Sequence, residues 1–549
     1  MRIPKYPSFL SFISIMSIAL GFGFIFNSDE KKVSSSNIAI APNYRIYPSS
    51  VTQSETFITR SPINPQLLFV AANTINLNTG FISEGIYVST NGGLNWRGND
   101  TCTGAIISFH RGDPGIAIDK NGTFVLTRLG STPGLYSHYS TNNGLSWSSQ
   151  RTIITDDQDR ASTASDPFST SSFYGRVYTA WVKFAPPYPT MIAYTDNGAQ
   201  TWTTPAQINN PPQRCQGGDI VVGSDGRVYM TWAAVTSSSP FTEDKVGFAV
   251  SSNGGVSWTV QEQAYDMNGI QGLLPQKGNI RVNGLPNIDA DVSGGSRNGW
   301  LYIVTGEKNL APAGTDPDIV LHRSTDGGQT WSAGVRVNQD PINNGKTQYF
   351  PAIHVDDEGS INIIYYDDRN TTADSSQVYL SRSTDGGFTF KDYQISDHTF
   401  KPIPIGSLGG QGYQGDNIDI NSIANILIPV WMDNFTGIYQ IWTSRIDRNT
   451  LSISQIGDLV PEKYNLSQNY PNPFNGISNI KFSIPNLSEV ALKVYDLNGK
   501  EIETLYQGKL NGGEYRVQWN SNALPSGVYF YSLFIENKII DTKKMILVK

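Results

Sequence analysis

The chain has 549 residues and a formal net charge of −7, with 16% charged side chains and no block of Lys or Arg, which argues against a nucleic-acid partner, whose polyanion attracts basic surfaces. Gly 52, Pro 30, Tyr 27, Phe 24 and Trp 11 describe many strands broken by turns, because aromatic side chains suit a pleated, half-buried surface. Cys102 and Cys215 are the only cysteines; they allow one bridge at most and rule out a disulfide scaffold.

At the N-terminus Arg2 and Lys5 precede an apolar run from Phe9 to Phe26, and Asn27 to Glu30 are polar. This composition reads as an export signal over 1–28. Cleavage is the expectation. An uncleaved anchor is the alternative, since the run approaches the length that spans a bilayer.

Internal repetition dominates the next 400 residues. Six copies of a short motif recur every 50 to 70 residues: STNGGLNW from Ser89, STNNGLSW from Ser140, YTDNGAQTW from Tyr194, SSNGGVSW from Ser251, STDGGQTW from Ser324 and STDGGFTF from Ser383. Counted from Tyr194, the third has one extra residue. Each follows an alternating strand and reads as a hairpin turn, in which Asp or Asn bonds to backbone N–H groups and the glycines accept positive φ. Upstream lies a second pattern of strand, polar turn and strand, as in DIVVGSDGRVYMTW from Asp219. Together they supply four strands per module, which is one propeller blade.

Modules start near Ser54, Asp113, Asp166, Asp219, Ile288, Pro351 and Asp416. The seventh stops after three strands, and NYRIYPSS (43–50) is the expected source of the fourth, closing the ring and removing exposed edges. Seven blades are favoured over six with one degenerate module. The all-β propeller spans 42–449, a linker 450–464, and a small Ig-like β-sandwich of seven strands 465–549.

The repeated motif resembles the Asp box of sialidase-like propellers. The tail, with LSQNYPNPFN from Leu466, VYDLNGKEIETL from Val494, LPSGVYFYSL from Leu524 and the final KKMILVK, is similar to the type A sorting domain of the type IX secretion system. That second resemblance implies a Gram-negative bacterium of the Bacteroidetes type, type IX machinery as a partner, and release or surface attachment after removal of the tail.

A sialidase uses a Tyr nucleophile with a Glu, an Asp acid and an arginine cluster for the substrate carboxylate. The residues here that could match are Tyr413 with Glu307, Arg45 in an Arg-Ile-Tyr-Pro variant of the family's Arg-Ile-Pro, and Arg369; Arg128 and Arg445 have no convincing motif around them. Strand parity adds an independent expectation. If the repeated turns share one face of the ring, starts of first strands and ends of second strands share the opposite mouth. That places Asp113, Asp166, Asp219, Asp367 and Asp416 there as ligand-binding residues, in a mouth of negative field that repels a sialate and favours cations or neutral polyols. A Ca²⁺ site is conceivable on such carboxylates, although no EF-hand-like spacing supports one. The runs 156–159 and 356–358 read as solvated turns, and Trp181, Trp232, Tyr365, Tyr366 and Trp431 as core between blades. No zinc or serine-hydrolase pattern is present.

These features lead to a secreted or surface-displayed propeller that recognises an extracellular glycan or glycoprotein. An exo-acting glycoside hydrolase of sialidase type is the alternative, and a structural or adhesive role the third.

Overall fold

The computed structural model describes residues 39–102, 110–238, 241–406, 412–448, 453–457, 461–510, 512–521 and 524–549. The expected export signal lies outside them. Among the described residues, seven antiparallel sheets follow one another in chain order. Their first strands are Thr52–Arg60, His110–Ile118, Ser162–Ser165, Arg214–Val222, Asn287–Ala290, Gln348–Val355 and Asp419–Ile423. Each first strand packs against that of the next sheet, and the seventh returns to the first. The chain therefore forms a propeller around one channel, a cavity of 320 Å³ lined by these strands.

Apolar side chains fill the space between neighbouring sheets. Phe69 and Ile86 of the first sheet meet Phe124 and Leu126 of the second, and Val70 and Tyr87 meet Ile428 and Val430 of the last. Trp181, Trp232, Tyr365, Tyr366 and Trp431 are all buried. Polar groups join sheets along the channel. Asp419 accepts a hydrogen bond from Ile58 N at 2.9 Å, Asp219 from Ile288 N at 2.9 Å and Asp289 from Val355 N at 2.7 Å.

The six repeated motifs join the third and fourth strands of six sheets, at one end of the ring. In the first, Ser89 Oγ accepts from Gly93 N at 2.8 Å and Asn91 Oδ1 from Asn95 N at 3.0 Å, while Gly92 and Gly93 take φ of 67° and 80°. The pattern recurs through Ser140, Ser251, Ser324 and Ser383. In the third copy Thr195 replaces Ser, its hydroxyl accepting from Ala199 N at 3.1 Å, and Asn197 Oδ1 accepts from Thr201 N at 3.0 Å. This corrects the reading of an extra residue there: the turn starts at Thr195, and all six have one length.

The last sheet takes its outer strand from the chain start. Tyr44 pairs with Thr443 and Arg45 with Trp442, and Ala39–Ile40 pairs with Ile446–Asp447 beside it. Cys102 and Cys215 are both buried and free.

The C-terminal part has a core of its own, including Phe482, Leu492, Trp519, Tyr531 and Leu533. Two four-stranded sheets form it. One strand more than expected comes from Ile453–Gly457, which pairs with Gly513–Asn520. Part of the segment read as a linker thus belongs to the sandwich.

Asp356, expected in a solvated turn, is fully buried between Arg382 at 2.8 Å and Arg448 at 2.6 Å. Burial would raise its pKa, but the two guanidiniums outweigh it and hold the carboxyl well below the usual carboxylate range. A depressed folded-state pKa contributes stability above the unfolded value of about 4, lost as the pH falls below it. Asp356→Asn should therefore cost about 3–5 kcal/mol in urea unfolding at pH 7 and less at pH 3; a cost independent of pH would contradict this pairing. Removal of residues 39–47 should lower the melting temperature by more than about 5 °C and promote self-association through the bared strand, as read by calorimetry and light scattering.

Candidate functional site

At the end opposite the repeated turns, first strands begin and second strands end. A cavity of 610 Å³ opens there, walled by the first sheets of the ring, by the hairpin Gly272–Leu274 and Ile280–Val282 inserted before the fifth sheet, and by the segment 413–417 before the seventh.

Two backbone bulges aim carboxylates into it. In the first sheet Ser54 pairs with Asn73 and Thr56 with Ala72, which leaves Glu55 unpaired at φ 49°. In the second, the register slips between Gly112 and Gly115, and Asp113 takes φ 55°. A side chain in this left-handed region costs about 1–3 kcal/mol, and such strain collects where function fixes geometry.

Asn73 ties the two together. Its Nδ2 lies 3.0 Å from Glu55 Oε2, 3.2 Å from Asp113 Oδ1 and 3.1 Å from the Tyr413 hydroxyl, and its Oδ1 accepts from Asp113 N at 2.6 Å. The Tyr413 hydroxyl is also 3.1 Å from Ser54 Oγ and hydrogen-bonds Glu55. Burial, with Asp113 and Asp416 beside it, pushes Glu55 well above the carboxylate range. Burial and the neighbouring Asp159 raise Asp113 to about 6. Burial and then Glu55 raise the Tyr413 phenol. Glu55 and Asp113 are hydrogen-bonded to each other, so each raises the cost of charging its neighbour, and the Tyr413 phenol is held in its neutral form.

Four arginines line the same cavity: Arg111, Arg160, Arg214 and Arg281. Arg281 pairs with Asp416 and lies 5.5 Å from the centre of the Tyr413 ring. Arg160 donates to Asn417 and packs on Phe57. Arg111 is exposed, 3.8 Å from Asp157. Arg160 Nε, Arg214 Nε, Gln271 Oε1 and Asn417 Nδ2 are buried with no hydrogen-bond partner among the described residues, a state that buried polar atoms adopt rarely. Against these arginines stand Glu55, Asp113, Asp159 and Asp416. With four arginines facing four carboxyls the mouth is not the acidic one expected, because arginines as well as aspartates lie at and just before the starts of first strands.

Of the residues read from sequence as site candidates, the structure brings Tyr413, Asp113 and Asp416 together in this cavity. The others lie elsewhere. Arg45 belongs to the outer strand of the last sheet. Glu307 is buried, accepts from Thr305 Oγ1 at 2.6 Å, and is raised to about 7 by burial; the carboxyl beside Tyr413 is Glu55 instead. Arg369 is locked by Asp367 at 2.6 Å and by Asp392, which also removes Asp367 from the mouth. Asp166 follows the strand Ser162–Ser165 rather than starting it, so it sits at the turn end, bonded to Ser171 Oγ and Phe168 N. Asp219 is five residues into its strand and faces the channel, where Ser162 Oγ donates to it at 2.7 Å. Arg128 is buried beside His138 and Gln150. Among the described residues no group of three or more His, Cys, Asp or Glu could hold a metal ion.

Sequence reasoning missed Glu55, Asn73 and the arginines. Arg111, Arg160 and Arg214 lie two to six residues before the module starts read from sequence at Asp113, Asp166 and Asp219, and Arg281 arrives on an inserted hairpin.

Residues 468–549 match the family described as the secretion system C-terminal sorting domain. The tail is a type IX sorting domain. It directs the chain out of the cell, to the medium or the cell surface. No curated protein matches the chain. Solved structures similar to it include a polysaccharide lyase of family PL25, an ulvan lyase, at 12% identity over 74% of this chain and 95% of that one, with a TM-score of 0.46. Others are a protein of unknown function from Dyadobacter fermentans, at 11% identity, 75% and 99% coverage and a TM-score of 0.41, and a leech intramolecular trans-sialidase, at 11%, 64% and 70%, and 0.39.

Asp113 gives a pH test. Its folded pKa is raised, so its contribution is most favourable below the unfolded value near 4 and is lost as the pH climbs through about 6. Asp113→Asn should gain about 1–2 kcal/mol relative to the parent between pH 4.5 and 7.5 in urea unfolding; a constant difference would contradict the raised carboxyl.

Proposed function

We propose that the exported propeller recognises an anionic extracellular saccharide, free or on a glycoprotein, in the mouth cavity. One observation carries this reading: arginine edges and amide atoms without partners gather in a single polar cavity. Guanidiniums bind carboxylates or sulfates through paired N–H groups, and amides such as Gln271 and Asn283 can both donate to and accept from sugar hydroxyls. Arg160→Met should weaken binding to acidic probes on a glycan array by about tenfold or more, with neutral probes unaffected. Retention of full binding would remove the arginine from the account.

A second reading, hydrolysis, is favoured by the Tyr413, Glu55 and Asp113 cluster. In that reading the Tyr413 oxygen bonds to the anomeric carbon and its proton passes to Glu55. Glu55 hands its own proton to Asp113, and Asp113 protonates the departing oxygen as its bond to the anomeric carbon breaks, a role suited to a carboxyl near pKa 6; water, giving a proton back through the carboxyls to the Tyr413 oxygen, then displaces it and releases the sugar. Release of fluorophore from a fluorogenic sialoside, lost in Tyr413→Phe, supports the hydrolase; array binding without release supports recognition alone. Silence in both assays favours the structural or adhesive role.

A further inference from the structure

The wall of the cavity away from Tyr413 sets aromatic rings around Arg214, and this reading leaves those rings unused. Arg214 opens the first strand of the fourth sheet. Its guanidinium lies 4.8 Å from the ring centre of Tyr188, 5.7 Å from that of Phe184 and 5.6 Å from that of Phe241. The rings hold the plane in place, and its Nε is buried without a partner. Arg281, Arg369 and Arg382, by contrast, are each held by a carboxylate.

The backbone around Arg214 is strained to present these rings. Tyr188 and Phe241 take φ of 61° and 59°, a region that bulky side chains avoid and that persists only where surrounding structure enforces it. Phe184 and Phe241 nevertheless remain 46% and 40% exposed. The strain at Phe241 does not bury its ring, so it does not serve the core. With Phe184 it gives two apolar faces at the rim of a polar cavity, beside a guanidinium that no carboxylate among the described residues holds.

We propose that Arg214, Phe184 and Phe241 form a subsite for a second, anion-bearing sugar unit, so that the ligand is an acidic oligosaccharide and not a single acidic sugar. The inference rests on the mouth being an anionic-saccharide site. Arg214 takes the oxyanion, a carboxylate or a sulfate, through its paired N–H groups. The phenyl rings take the apolar face of the pyranose, as aromatic side chains do in ligand pockets. Gln216 and Gln271, 3.5 Å apart on the same wall, meet its hydroxyls.

Titration calorimetry on the full chain tests this with three pairs of probes: galacturonic acid and tetragalacturonate, N-acetylneuraminic acid and its 2,8-linked trimer, and galactose 4-sulfate and a κ-carrageenan tetrasaccharide. In at least one pair the oligomer should bind about tenfold more tightly than the monomer, and which pairs show the gain separates carboxylate from sulfate. Arg214→Gln and Phe184→Ala should each reduce that gain to less than about threefold, and Phe184→Ala should leave the monomer affinity unchanged; Phe184 is half exposed, so its variant keeps the fold. Equal affinities for monomer and oligomer, or a gain that survives both substitutions, overturn the subsite alone. Failure of every saccharide to bind overturns the mouth reading itself, and the subsite with it. Tighter binding of hexaglutamate than of every saccharide overturns both in favour of an acidic protein ligand.

Discussion

The hydrogen bond from a backbone N–H, a glycine's in five turns and Ala199's in the third, to a serine or threonine hydroxyl four residues earlier, with an Asx oxygen closing the same turn, sets the geometry on which the molecule depends. It fixes where the third strand of a sheet ends and the fourth begins, and it does so six times at 2.8–3.1 Å. Because side chains alternate along a strand and strands alternate in direction, fixing that one turn fixes which end of every strand faces which end of the ring. All six turns then lie at one end, and the starts of the first strands are left for chemistry at the other.

The mouth is less regular than the turn end. The first strands of the first, second, fourth and sixth sheets all slip register near the mouth, at Glu55, Asp113, Gly217 and Phe350, each with positive φ. A bulge at this position turns one side chain out of the ladder and toward the axis. Glu55 and Asp113 use it to bring two carboxyls against one phenol, an arrangement that burial and mutual repulsion make unfavourable. The apolar interfaces between successive sheets, and ion pairs such as Asp356 with Arg382 and Arg448, offset that cost far from the mouth.

Much of the fold was legible in the sequence, because a repeat states the same local rule many times. The turns, the strand modules and the borrowed outer strand of the last sheet follow from composition and period alone, and the tail from its resemblance to a sorting domain. Departures have physical causes. Thr195 and Ala199 stand where the other turns have Ser and Gly, which hid the register of the third copy. The strand Ile453–Gly457 is short and lies among polar residues, so it read as a joint. The site was legible only in part: Asp113 and Asp416 sit at the mouth where parity put them, with Tyr413, read as a nucleophile candidate, in the same cavity, but parity cannot say that Arg369 is consumed by Asp367 and Asp392, or that a bulge swings Glu55 into the place assigned to Glu307. Pairings across hundreds of residues, such as Ser54 with Tyr413, leave no local signal.

The central claim is that the end of the ring opposite the repeated turns holds an anionic saccharide. Crystals of the full chain grown with and without tetragalacturonate or the 2,8-linked sialic acid trimer test it most directly. Difference density in the mouth cavity, with an oxyanion against Arg160, Arg214 or Arg281, is the predicted result. Ordered saccharide on the turn end or along the C-terminal sandwich, with the mouth left to water, would contradict the account.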